Sequence, residues 1–309
     1  MDIAVIGSNN VDLITYIDRM PKKGETMEAP NFAMGCGGKG ANQAVSAAKL
    51  GAQVMMVTKV GDDMFADNTI ANFQKHGIDT TFTKKVPDTT SGVAPIFVDA
   101  HSENRILIIK GANNHLKPQD IDEAADKLKQ CKLIVLQLEV PLAAVYHAIE
   151  FGHQHKIPVI FNPAPATKAL DFYYVSQCDF LIPNETELEL ISGMPVGTEE
   201  EVRQAAQFLL DKGVKNVIIT LGRRGVLWVT NNTVQRFNAY TVQAVDTTGA
   251  GDAFIGCFAQ SLVQTGDIAQ AIQRAQGFAA LSVTKNGTQI SYPTEGELIA
   301  FLAERKCSE

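Results

Sequence analysis

Short apolar runs of strand length recur along this chain, with amphipathic stretches of helical length between them. Ile3–Ile6 and the runs at 54–58, 133–138, 159–162, 180–183 and 217–221 carry little polar interruption. Such runs fit strands of a parallel sheet buried on both faces; half-exposed strands alternate instead. The segments 118–130, 141–155 and 198–212 read as helices. This βαβ rhythm predicts an α/β fold, a doubly wound and mostly parallel sheet with helices on both faces. Ligands of such sheets bind beyond the carboxyl ends of the strands. Asp12, Glu139, Asn162, Asn184 and Thr220 each stand at or just after such an end.

Two stretches, about 13–34 and 81–110, break the rhythm with short alternating segments. They predict strands of a small separate sheet, or else a meander on an edge. Length alone suggests two domains, but α/β units often run this long as one. The expectation is therefore one α/β domain over 1–309. Apolar residues make up 45% of the chain, enough for a large core, and the net charge of -7 speaks against a nucleic-acid groove. Five scattered cysteines, at 36, 131, 178, 257 and 307, have no metal spacing and read as reduced thiols. The first residues read as a strand rather than a signal peptide, and no apolar run has membrane length. A soluble, cytoplasmic protein is expected, with no membrane and no nucleic-acid partner.

The candidate chemistry lies in two glycine-rich segments. Asp246-Thr247-Thr248-Gly249-Ala250-Gly251-Asp252 leads into an apolar run that reads as a buried helix. Glycines let the backbone turn and approach a ligand. A helix N-terminus offers unpaired N–H groups to a phosphate. Asp252 at the same place could take a proton from a hydroxyl, which makes this a phosphoryl-transfer arrangement. The plain alternative is a solvated loop with a helix cap. Upstream, Gly35-Cys36-Gly37-Gly38-Lys39-Gly40-Ala41-Asn42 also enters a strong helix former. It lacks the spacing of a Walker loop. Cys36 beside it is a candidate reactive thiol, or simply a thiol.

Taken in order, these segments resemble the ribokinase-like (pfkB) carbohydrate kinases, and within them the pentose kinases. The resemblance runs from Gly7-Ser8-Asn9-Asn10-Val11-Asp12 through the first glycine segment, Asn162-Pro163-Ala164-Pro165-Ala166, Pro183-Asn184-Glu185-Thr186-Glu187, Thr220-Leu221-Gly222 and the second glycine segment to Thr284-Lys285-Asn286-Gly287-Thr288-Gln289. It implies that the small sheet is a lid over a sugar and that its outer face makes a homodimer. It implies a sugar site at Asn10, Val11, Asp12, Gly38, Lys39, Gly40, Ala41, Asn42 and Glu139, with Asp252 as base and Gly249, Ala250 and Gly251 as anion hole. For Glu139, a buried ion pair is the other reading. Nucleotide contacts are implied at Asn184, Thr220, Leu221, Gly222, Arg223, Arg224, Gly225, Gly251 and Gln276. Arg223 and Arg224 could equally be solvated charges.

Glu187, three residues after Asn184, is implied to organise Mg²⁺ through water; Asn-x-x-Glu is also a capping box, and both can hold at once. Asp246, Thr248, Ser282, Lys285, Gly287 and Ser291 match positions of an activating K⁺, most through backbone carbonyls. The implied reaction is transfer of the γ-phosphate of ATP to the 5-hydroxyl of D-ribose. The amide of Asn10 suits a sugar with a 2-hydroxyl; an apolar residue there would suit 2-deoxyribose. Deoxyribokinase, a relaxed pentose kinase, a kinase of another small alcohol and a non-catalytic sensor are the alternatives.

Overall fold

The computed structural model describes residues 1–99 and 104–306. Cys307 and the central residues of the second lid segment, 100–103, lie outside them. Along the chain the strands are β1 (Ile3–Ile6), β2 (Asn10–Tyr16), β3 (Asn31–Gly37), β4 (Val54–Val60), β5 (Asp79–Lys85), β6 (Val93–Val98), β7 (Asn104–Ile106), β8 (Leu133–Leu136), β9 (Val159–Phe161), β10 (Phe180–Leu181), β11 (Val217–Thr220), β12 (Val226–Val229) and β13 (Val234–Phe237). They form a nine-stranded sheet, β13-β12-β11-β10-β9-β8-β1-β4-β5, and a four-stranded sheet, β3-β2-β6-β7. From β5 to β11 every pairing in the large sheet is parallel. The β11-β12-β13 end is antiparallel.

The apolar runs fill the central strands, and their alternate residues feed two cores. Ala4 and Ile6 of β1 pack into one cluster, and Ile3 and Val5 into the other. Burial on both faces is what removes the alternation from these strands. The helices Leu142–His155 and Glu199–Asp211 cover the first face; Lys39–Lys49, Ala250–Thr265 and Ile268–Ser282 cover the second. No helix of the described residues is long and apolar enough to cross a membrane.

Three sequence expectations need correction. Residues 81–85 belong to β5 on the edge of the large sheet, paired with β4, and not to the small sheet. Its exposed Lys85 and partly exposed Lys84 suit an edge. The small sheet instead begins at Asn10, three residues before the expected start. The helix expected over 118–130 is two pieces, Pro118–Glu123 and Ala125–Leu128, reset at Ala124 while Ile121 and Leu128 stay buried.

The topology sets the position of a site. After β1 the chain winds through β4 and β5 to one side, then returns to place β8 on the other side of β1. The carboxyl ends of β1 and β8 therefore flank the switch point, where a doubly wound sheet opens a crevice.

Candidate active site

Ser8, two residues past β1, and Glu139, three past β8, meet across that crevice: Ser8 Oγ donates to Glu139 Oε2 at 2.6 Å. The same oxygen accepts from the backbone N–H of Lys39 at 2.9 Å. Glu139 thus stabilises the positive end of the helix Lys39–Lys49 with a carboxylate. Its direct partners are a hydroxyl and an amide rather than a cation. Gly38 leads into this helix with φ 87°, and a Cβ there would stand 2.7 Å from the Asn10 nitrogen. Glycine is required twice at this position, for the dihedral and for the approach.

Asp252 lies in the first turn of the helix Ala250–Thr265 and is buried. Gly256 lets this helix press against Lys39–Lys49, since a Cβ there would meet Gln43 O at 2.4 Å. The contact brings Asn42 Nδ2 to Asp252 Oδ2 at 3.0 Å and Gln43 Nε2 to Asp252 Oδ1 at 3.0 Å. An ionised carboxylate only accepts, so both amides must present their nitrogen to it. Their oxygens then accept from the next amides outward, Gln289 Nε2 to Asn42 Oδ1 at 3.0 Å and Gln137 Nε2 to Gln43 Oε1 at 2.7 Å. Burial raises the pKa of Asp252; Lys39 and the two amides pull it back, and the net direction is up. A raised pKa suits a carboxylate expected to act as a base. Burial works against the Lys39 ammonium, but Asp252, Glu139 and Glu187 around it hold its pKa above the ordinary lysine value.

A cavity of about 170 Å³ opens beside Asp252, lined among others by Lys39, Asn184, Glu187, Thr220, Thr247 and Gly251. Gly249 caps the helix with φ 74° and no side-chain cap bond. Gly251 and Asp252 are first-turn residues, whose N–H groups have no partner within a helix. A Cβ at Gly251 would meet no protein atom within 4 Å, so the glycine keeps space for a ligand rather than for the protein. An anion-sized space, free helix amides and a lysine fit a phosphate group.

Asn184 and Glu187 form a reciprocal capping box, with both bonds at 2.8 Å. Glu187 Oε2 is spent on it, and Oε1 makes no hydrogen bond among the described residues. No group of three or more His, Cys, Asp or Glu side chains that could hold a metal ion occurs among those residues. A magnesium ion here would take most of its ligands from phosphate and water, which suits its hard, strongly hydrated character.

The residues expected to meet a sugar approach from the small sheet. Asn10 and Asp12 lie two apart on β2 and share a face. Asp12 makes no hydrogen bond among the described residues. Burial first, then the charges of Glu139 and Asp252, pushes its carboxyl from 3.8 to about 7. Val11 is buried on the opposite face, and Gly40 and Ala41 are buried in the first turn of their helix.

Other expected residues stand further out. Leu221 is buried, and Gly222 and Gly225 have φ 53° and 92° in the turn after β11. Arg224 is ion-paired with Glu185, and Arg223 is exposed. Gln276 gives its amide to the carbonyls of Phe237 and Asn238, at 3.3 and 3.4 Å, behind the Gly225 turn; it does not line the cavity. Asp246 is engaged through its side chain. Its carboxylate accepts from Thr248 N and Gly287 N, both at 2.9 Å, and ties the loop before the helix to the segment that follows Ser282 and holds Lys285, Gly287 and Ser291. Sequence reasoning missed Ser8, Gln43 and Asn113. Gln43 looked like a helix former, and Asn113 sits in a Gly-Ala-Asn turn whose partners are more than 100 residues away.

The pfkB family carbohydrate kinase profile matches residues 1–295. A deoxyribokinase of Salmonella typhi is 61% identical over 303 residues, covering 98% of this chain and 99% of that protein. A ribokinase of Staphylococcus aureus is 40% identical over 294 residues, covering 94% and 96%. The structure of Arabidopsis thaliana ribokinase complexed with ribose and ATP superposes with a TM-score of 0.91 at 30% identity, covering 97% of this chain and 98% of that one.

Proposed function

Because this chain belongs to the pfkB family of carbohydrate kinases, we propose that it transfers the γ-phosphate of ATP to the 5-hydroxyl of a pentose, D-ribose ahead of 2-deoxy-D-ribose. The observation that carries the reading is the buried Asp252 carboxylate, held by two amides between an anion-sized cavity and the sugar-side residues. The sugar lies between Asn10, Asp12, the 38–42 turn and Glu139. Asp252 takes the proton from the primary hydroxyl as that oxygen forms a bond to the γ-phosphorus. The bond from phosphorus to the bridging β-phosphate oxygen breaks, and ADP leaves. Charge on the transferred group falls on the amides at Gly249, Ala250 and Gly251.

Asn184 and the turn 220–225 hold the nucleotide, with Gln276 supporting that turn from behind. Glu187 orders the water shell of Mg²⁺, which offsets the phosphate charge when bound. K⁺ activates through the loops that Asp246 ties together; that tie supports the reading by placing the two loops at the amino end of the base's own helix. The small sheet acts as a lid on a single catalytic domain. Its outer face carries Phe32 and Met34, 58% and 51% exposed, and supports a homodimer. The setting is the cytoplasm, where ATP is at hand.

A second reading has its own support: the 61% relative is a deoxyribokinase. kcat/KM for D-ribose and 2-deoxy-D-ribose, side by side with Mg-ATP and K⁺, decides between them. A preference for ribose supports the first reading. Equal or better use of deoxyribose moves the assignment to the second, and turnover of neither removes the pentose reading.

A further inference from the structure

We infer that Asn113 is a positioning residue that fixes which end of the Asn10 amide meets the sugar, and so sets selectivity at the 2-position. The inference rests on the pentose reading above. Asn113 lies in the short turn of helix Gly111–His115, where the chain returns from the small sheet to the large one. It is 1% exposed. Its Oδ1 accepts from the backbone N–H of Asn9 at 3.0 Å, and its Nδ2 donates to the backbone carbonyl of Asn9 at 2.8 Å. A backbone N–H only donates and a carbonyl only accepts. These two bonds therefore define the orientation of the Asn113 amide without ambiguity.

The consequence passes to Asn10. Asn113 Nδ2 also lies 2.9 Å from the Asn10 side chain, so the atom it faces must be the acceptor, Oδ1. Asn10 is 3% exposed, and its Nδ2 has no partner among the described residues. Gly92 closes the group from the third side: a Cβ there would stand 2.3 Å from Asn113 Nδ2 and 2.4 Å from Asn10 Oδ1. Asn10 cannot turn over without setting two NH₂ groups against each other. Asn10 and Asp12 share a face of β2, and that face looks toward Glu139 and Asp252, whose charges Asp12 feels. The group offered to the sugar is therefore a hydrogen-bond donor, and it requires a lone pair on the substrate. A 2-hydroxyl supplies one; 2-deoxyribose leaves the donor buried and unpaired, which is the costly case.

A donor and an acceptor at this place are told apart by fluorine, which accepts weakly and never donates. The experiment measures kcat/KM for D-ribose, 2-deoxy-2-fluoro-D-ribose and 2-deoxy-D-ribose. It uses the wild-type chain and the variants Asn10→Asp and Asn113→Asp, with the unfolding midpoint of each. The wild type is expected to use ribose roughly tenfold to a hundredfold better than deoxyribose, with the fluoro sugar between them. Asn10→Asp keeps the bond from Asn113 and turns an oxygen to the sugar. Asn113→Asp makes Asn10 turn over and does the same. In both, the fluoro sugar should fall below deoxyribose, and ribose, which can donate, should fall least of the three.

A wild type that already ranks the fluoro sugar below deoxyribose overturns the inference, because Asn10 then presents its oxygen. So does a folded Asn113→Asp with the wild-type order. If Asn113→Asp does not fold, the wild-type and Asn10→Asp orders still decide the orientation. Pentose turnover with no discrimination at position 2 removes the donor role from Asn10 but leaves the pentose kinase standing. No turnover of any pentose removes both.

Discussion

Asp12 is the group whose behaviour can be worked furthest from the structure. Its carboxyl is raised from 3.8 to about 7, by burial first and then by Glu139 and Asp252. Only the ionised form offers both oxygens to sugar hydroxyls. About one tenth of the free protein is ionised here at pH 6 and about nine tenths at pH 8, so sugar affinity should rise about tenfold between those values. Equilibrium binding of the pentose by calorimetry, without ATP, keeps the chemical step at Asp252 out of the measurement.

Asp12→Asn should flatten the profile and weaken binding at pH 8 by roughly tenfold to a hundredfold, the worth of a hydrogen bond to a charged group. Stability should move the other way. Between about pH 4 and 7 the folded state holds a proton at Asp12 that the unfolded state has lost, so stability falls as pH rises through that window. The full difference is roughly 4 kcal/mol, present below about pH 4 and lost above about pH 7. Asp12→Asn should remove that contribution from the pH dependence of the unfolding midpoint. Affinity independent of pH from 6 to 8 in the wild type, or an equal slope in Asp12→Asn, refutes the reasoning.

Asp252→Asn should lower kcat by roughly 10²–10⁴ while nucleotide binding persists; near-normal kcat removes the base from this position. Activity should rise with K⁺ over Na⁺ and over tetramethylammonium at equal ionic strength, and Asp246→Ala, which unties the two loops, should abolish the difference; equal rates in all three salts argue against a cation site. Phe32→Glu combined with Met34→Glu should convert a dimer to a monomer in sedimentation velocity, and a wild type already monomeric at micromolar concentration sinks the lid interface.

The large sheet was legible because its strands are buried on both faces and leave uninterrupted apolar runs. The small sheet was blurred at its edges. Residues 81–85 alternate as a lid strand would, and nothing local says that β4 is their partner. The glycine segments and Asp252 were visible because tight backbone at a helix start is written in local composition. Gln43 and Asn113 were not, because their work is defined by partners such as Asp252, 209 residues away, and Asn10, 103 away. A buried amide carries no local signature of which way it points. Glu139 was seen as a carboxylate out of place, but only the fold shows that it meets a helix start and a serine.

The contact between Asp252 and Asn42 spans 210 positions of the chain. It gives the protein a built-in order during its synthesis. When the first two hundred residues have left the ribosome, β2, the 38–42 turn and Glu139 all exist, but Asp252 and the glycine turn 249–251 before it do not. On the reading proposed above, the parts that grip a sugar are made well before the part that takes its proton. A half-made chain holds Asn42 but lacks Asp252 and so, on that reading, lacks the group that would start turnover.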